Sequence, residues 1–142
     1  MTDVAMTDLA MTLGEDGAVL GRATVIAFTA TRQPEAAKVF YRDQLGLRLV
    51  DESPYALVFR AGTTMLRVQL VEDFQPHPFT ALGWDVTDIR ATVGELASHG
   101  IATLRVPVIE QDDAGIWWTP NGDGIAWFND PDGNTLSLTQ FA

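Results

Sequence analysis

The side chains best able to do chemistry in this chain sit in short alternating stretches. "LRVQL" (66–70) carries Arg67 and Gln69, "TALGWDV" (80–86) carries Asp85 behind Ala81 and Gly83, and "LSLTQ" (136–140) carries Ser137 and Thr139. Every second residue of a strand shares a face, so each set points one way. An arginine there can grip a carboxylate, carbonyl or phosphate through paired donors. An aspartate can accept from a ligand donor, or take a proton as a general base. The plainer reading of Arg67 and Asp85 is a buried ion pair. Small Ala81 and Gly83 leave room for a ligand, or for close strand packing. Trp117 and Trp118 lie in "QDDAGIWWTPNGDG" (111–124), flanked by Glu110, Asp112 and Asp113. Adjacent indoles in an extended segment point opposite ways, so one can border a pocket while the other anchors in the core. An aromatic wall suits a flat or cationic ligand.

Other chemistries find little support. The two histidines fall in different elements: His99 at a helix end, suited to the last carbonyls and the dipole, and His77 between Pro76 and Pro78. With no cysteine there is no disulfide, thiolate nucleophile or Cys-ligated zinc, which fits a cytoplasmic protein. No glycine-rich phosphate loop follows a strand, and G-x-S-x-G is absent. The net charge of −10 argues against nucleic acid as a partner. It serves solubility, or makes a field that attracts cations. No apolar run approaches the ~20 residues of a membrane span. Asp3 and Asp8, without a basic flank, argue against a signal peptide.

The elements that must position these residues follow from the pattern. Residues 1–20 begin with the five-residue repeat "MTDVAMTDLAMT" and read as a poorly ordered tail. "ATVIAFTA" reads as a strand, and "QPEAAKVFYRDQ" as a helix with Pro34 in its first turn and Gly46 past its end. The strands "LRLVDE", "YALVFRA" and "TMLRVQLVE" complete module one, 22–73. A Pro-rich linker, 74–79, leads to module two, 80–142, where the order repeats. "TALGWDV" is a strand, and "DIRATVGELASHG" a helix capped by Thr87 or Asp88 and stopped by Gly100. "IATLRVPVIE" is a strand, and "IAWFND" and "NTLSLTQF" a closing hairpin. Trp84, alternating with Gly83 and Asp85, belongs under the second helix. The result is β-α-β-β-β twice, within one domain spanning 21–142.

"FYRDQLGLRL" (40–49), "LGWDVTDI" (82–89), "ELASHGI" (95–101) and "WFNDPDGNTLSL" (127–138) together resemble the vicinal oxygen chelate superfamily. That superfamily holds glyoxalase I, extradiol dioxygenases and bleomycin-resistance-type binding proteins. The resemblance implies an α+β fold of two βαβββ modules, a curled mixed sheet around a cup with helices outside, and a homodimer. Its metal enzymes take His, Glu or Gln ligands from the first and last strand of each module. Those slots fall here at Ile26 (Val25 with a one-residue slip), Arg67, Ala81 and Ser137, none of them a carboxylate or imidazole. Gln69 alone is not a metal site.

The expectation is therefore a protein with no metal and no cofactor. It sequesters a small molecule, cationic or zwitterionic, through Arg67, Gln69, Asp85, Trp117, Trp118, Ser137 and Thr139. The alternative is a metal-independent isomerase or lyase with Asp85 as base and Arg67 stabilising an oxyanion. A metal-dependent glyoxalase or dioxygenase stands third.

Overall fold

Residues 18–142 are described in the computed structural model; the 1–17 part of the expected tail lies outside them. Strand β1 is Ile26–Thr31, a β-branched run. Helix α1, Pro34–Lys38, starts on a proline whose missing N–H costs nothing in a first turn. It widens into a π-helical turn, Val39–Gln44, where the Leu45 amide donates five residues back to Phe40 O at 2.9 Å. Phe40 and Tyr41 are both buried there. Gly46, at φ 79°, then reverses the chain in a conformation other residues resist.

Strands β2 (Arg48–Glu52), β3 (Ala56–Ala61) and β4 (Thr64–Leu70) follow. They make a sheet ordered β1-β4-β3-β2, with β1 parallel to β4 and the other pairs antiparallel.

The second module repeats the plan. Its elements are β5 (Thr80–Asp85), α2 (Ile89–Ser98), β6 (Trp117–Trp118), β7 (Gly124–Asn129) and β8 (Thr135–Gln140). The sheet order is β5-β8-β7-β6, again with one parallel pair, β5 with β8. Asp88, not Thr87, caps α2, accepting from the Ala91 amide at 3.1 Å. The two halves are two four-stranded mixed sheets rather than one continuous curled sheet, and β1 of one lies beside β5 of the other.

One expected strand is not formed. Segment 101–110 has no ladder; its backbone bond to a strand runs from the Leu104 amide to Trp127 O at 2.8 Å. Pro107 lacks a donor. The Gln111 side chain takes two further groups, accepting from the Val106 amide at 2.7 Å and donating to Leu104 O at 2.9 Å. The two tryptophans supply the fourth strand instead.

Register sorts the side chains into faces. Leu57, Phe59, Leu66 and Val68 of the first sheet, with Ala126, Phe128, Leu136 and Leu138 of the second, face the helices in one cluster with Phe40, Tyr41, Ile89 and Val93. Fully burying one such aliphatic or aromatic side chain contributes roughly 1.5–3 kcal/mol. Trp84 packs against this cluster, as its alternation implies. Among the described residues no helix is long and apolar enough to cross a membrane.

Candidate functional site

The most chemically suggestive turn, Asp130-Pro131-Asp132-Gly133-Asn134, proves to be a clamp between the modules. Asp132 accepts from the Arg32 amide at 2.9 Å and from the Thr31 hydroxyl, both where β1 enters α1. Asp130 accepts from the Tyr41 hydroxyl at 2.7 Å and from the Asp132 and Asn134 amides at 3.0 and 2.9 Å. Asn134 donates to Ala30 O at 3.0 Å and to Asp130 at 2.8 Å. All three polar side chains are buried, and the oxygens of both carboxylates are filled by donors of this chain. Burial, with Asp130 beside it, pushes the Tyr41 hydroxyl far above its usual range.

The candidate ligand residues lie on the opposite, helix-free faces. In the first sheet, Phe28 pairs with Arg67 and Ala30 with Gln69, so all four share a face. In the second, Gly83 pairs with Ser137 and Asp85 with Thr139, and Ser137 pairs across with Trp127. The structure thus brings Arg67 with Gln69, and Asp85 with Ser137 and Thr139, each group on its own sheet. Arg67 and Asp85 form no ion pair, so the plainer reading of that couple does not hold. On its β8 side Gly83 allows close packing of strands, since a Cβ there would lie 2.5 Å from Ser137 Oγ. Where the two sheets meet, a cavity of about 220 Å³ is lined by Ala27 and Thr64 on one side and Gly83 and Asp85 on the other.

The two loop tryptophans part company. Trp117 pairs with Ile125 and stacks on Trp127 at 6.3 Å and 19° between planes, on the face of Ser137 and Thr139. Trp118 takes the other face, which removes it from the expected ligand set. Its indole N–H donates to Asp112 at 3.1 Å, Arg90 sits over its ring at 5.1 Å, and it packs on the core. Asp112 also accepts from the Ala114 and Ile116 amides at 3.0 and 2.9 Å. Partial burial works against its charge, but these donors and Arg90 outweigh it and hold the carboxyl below its ordinary value.

Sequence reasoning missed Phe28 and Trp127. Phe28 lies two residues from Ile26, a position already considered, so alternation alone could have found it, whereas Trp127 joins the face only through its pairing with Ser137 across β7 and β8.

Paired βαβββ modules, helices packed on one side and polar and aromatic groups on the other, define a two-module α+β protein with two open sheet faces. Residues 24–138 match the Glyoxalase/Bleomycin resistance protein/Dioxygenase superfamily, and the chain belongs to it. Solved structures agree on the fold. A glyoxalase family protein from Bacillus anthracis superposes with a TM-score of 0.68 at 16% identity, covering 85% of this chain and 96% of that one. Lactoylglutathione lyase from Agrobacterium tumefaciens gives 0.62 at 21%, covering 84% and 93%. A glyoxalase/bleomycin resistance protein/dioxygenase from Nocardioides gives 0.66 at 15%, covering 89% and 87%. No curated protein matches the chain.

The donor set does not fit the metal of the superfamily's enzymes. Ile26 and Arg67 stand on the open face of the first sheet, Ser137 on that of the second, and Ala81 sits at a register shift in β5. A divalent ion needs several oxygen or imidazole donors. Among the described residues no three His, Cys, Asp or Glu come together.

Proposed function

We propose that the chain binds a flat small molecule on its open sheet faces without a metal, in the manner of bleomycin-resistance-type sequestration. The observation that carries this reading is the Trp117–Trp127 stack beside Ser137 and Thr139. Stacked indoles offer a rigid π surface at little entropic cost, and the two hydroxyls offer hydrogen bonds to fix orientation. Arg67 and Gln69 face the same way on the first sheet and supply donors for a carbonyl or carboxylate, while Asp85 accepts from a ligand donor.

The test is a panel of planar aromatic compounds followed by thermal shift and tryptophan quenching. A ligand that binds only the folded chain raises its stability. Trp117→Ala is expected to abolish the quenching and weaken binding by about 10-fold or more, in line with ~1–3 kcal/mol per aromatic stacking contact. Undiminished binding by that variant ends the reading.

A second reading rests on Asp85, which lines the seam cavity and pairs with no cation among the described residues. There it serves as the base of a metal-independent isomerase or lyase. Asp85→Asn distinguishes the two: binding kept and turnover lost selects the enzyme. The reading includes a homodimer, since β2 and β6 are open sheet edges that a partner can cover; light scattering on the purified chain checks it.

A further inference from the structure

The chain has nine basic side chains against nineteen acidic ones, so a basic group without an acidic or carbonyl partner is unexpected. Most have one. Arg32 pairs with Asp132, Lys38 with Glu35 and Glu52, Arg42 with Asp43 and Arg90 with Asp112, while Arg105 donates to the carbonyls of Asp112 and Asp113. Arg22 is engaged as well.

The three that remain, Arg48, Arg60 and Arg67, make no hydrogen bond or ion pair among the described residues. They share one face of one sheet. Arg48 stands directly opposite Arg60 across β2 and β3, and Arg60 stands opposite Met65, two residues from Arg67 on β4. Directly paired like charges destabilise a sheet, and diagonal neighbours are about 7–8 Å apart, within reach of an arginine. Asp51 also faces this side, from the edge strand, and pairs with none of the three. Beside them on β1 the rings and branches of Phe28 and Ile26 remain 51% and 46% exposed.

Three guanidiniums left without partners among the described residues of a chain of net charge −10, two of them on directly opposed residues, match an oxyanion that supplies the missing charge. We infer that the first sheet's open face binds the anionic end, a carboxylate or phosphate, of the flat aromatic ligand proposed above, with Phe28 flanking it. This rests on the binding role proposed above and names its ligand class.

The experiment uses the full-length protein with three probes that share a ring: 2-naphthoate, 2-naphthyl phosphate and 2-naphthylmethylamine. At least one anion is expected to raise the melting temperature, with weaker binding at higher salt, and the amine to do neither. A preference for naphthoate over the phosphate, or the reverse, identifies the oxyanion. Arg60→Gln and Arg67→Gln are each expected to weaken anion binding about 10- to 100-fold. Arg60→Gln is also expected to leave the unliganded melting temperature unchanged or raised, because it relieves the repulsion with Arg48. Arg42→Gln, which removes an equal charge from a paired arginine on the π-helical turn, is expected to leave binding unchanged.

Equal anion binding by the Arg60 and Arg67 variants overturns the inference. So does binding of the amine alone, which, if it depends on Trp117, leaves the proposed function standing. Binding of none of the three overturns the inference, while a Trp117-dependent response to an uncharged planar compound in the wider panel still preserves the binding role.

Discussion

Tyr41 shows how much a single hydroxyl can couple. It is fully buried, donates to Asp130 across the module boundary, and packs edge-on against Phe40 at 5.0 Å. Its pKa is raised by burial first and by Asp130 second. A phenol whose folded pKa exceeds its unfolded value of about 10 supports the fold fully below that pH. Above it the unfolded chain loses the proton and the folded chain keeps it, so stability falls as pH rises. Denaturant melts of wild type above pH 10 are therefore expected to lose about 1.4 kcal/mol per pH unit relative to Tyr41→Phe. At pH 7 the same variant is expected to lose ~1 kcal/mol, because Asp130 retains its amide and Asn134 donors. Parallel alkaline profiles for the two proteins contradict this account.

At the scale of elements, the two-residue strand β6 and the loop before it decide which tryptophan meets the open face. Gly124 pairs with Trp118, and a Cβ on it would lie 2.8 Å from the indole ring. The ring has no easy retreat, since its N–H is bonded to Asp112 and Arg90 covers its face. Gly124→Ala is expected to cost ~1–3 kcal/mol in a thermal melt and to weaken ligand binding by disturbing Trp117 next door.

The loop is tied by Asp112, whose carboxyl is held low. A depressed acid contributes stability above its unfolded value, near 4, and loses it as pH falls through the folded value. Asp112→Asn is expected to lose ~1–3 kcal/mol at pH 7, measured by urea denaturation, and to show a smaller further loss below pH 4 than wild type. A variant that matches wild type at neutral pH would show the knot to be idle.

For the whole molecule, the buried clamp of Asp130, Asp132 and Asn134 and the shared apolar cluster join the two sheets through one core. Modules so joined cannot lose their packing separately. Calorimetry is expected to show one transition, with calorimetric and van't Hoff enthalpies equal. Asp132→Ala, which strands the Thr31 hydroxyl and the Arg32 amide, is expected to lower its midpoint by several degrees without splitting it. Two resolved peaks in either protein contradict a single cooperative core.

Local chemistry was enough for most of the elements and for the face each strand residue takes. β-branched runs, Pro34, Gly46, Asp88 and Gly100 act within a few residues, and period-2 alternation placed Trp84 in the core and Arg67 with Gln69. The same local signals failed at 101–110, where Pro107 lacks a donor and the neighbouring Gln111 side chain competes for the backbone. They also could not choose between Trp117 and Trp118, a choice that depends on which one pairs beside Gly124. Nor could they see that Arg48, Arg60 and Arg67 converge, or that the Asp130–Asn134 turn clamps β1. Those facts depend on register between strands far apart in the chain. Slipping one residue would send every side chain to the opposite face, so only the folded pairing decides them.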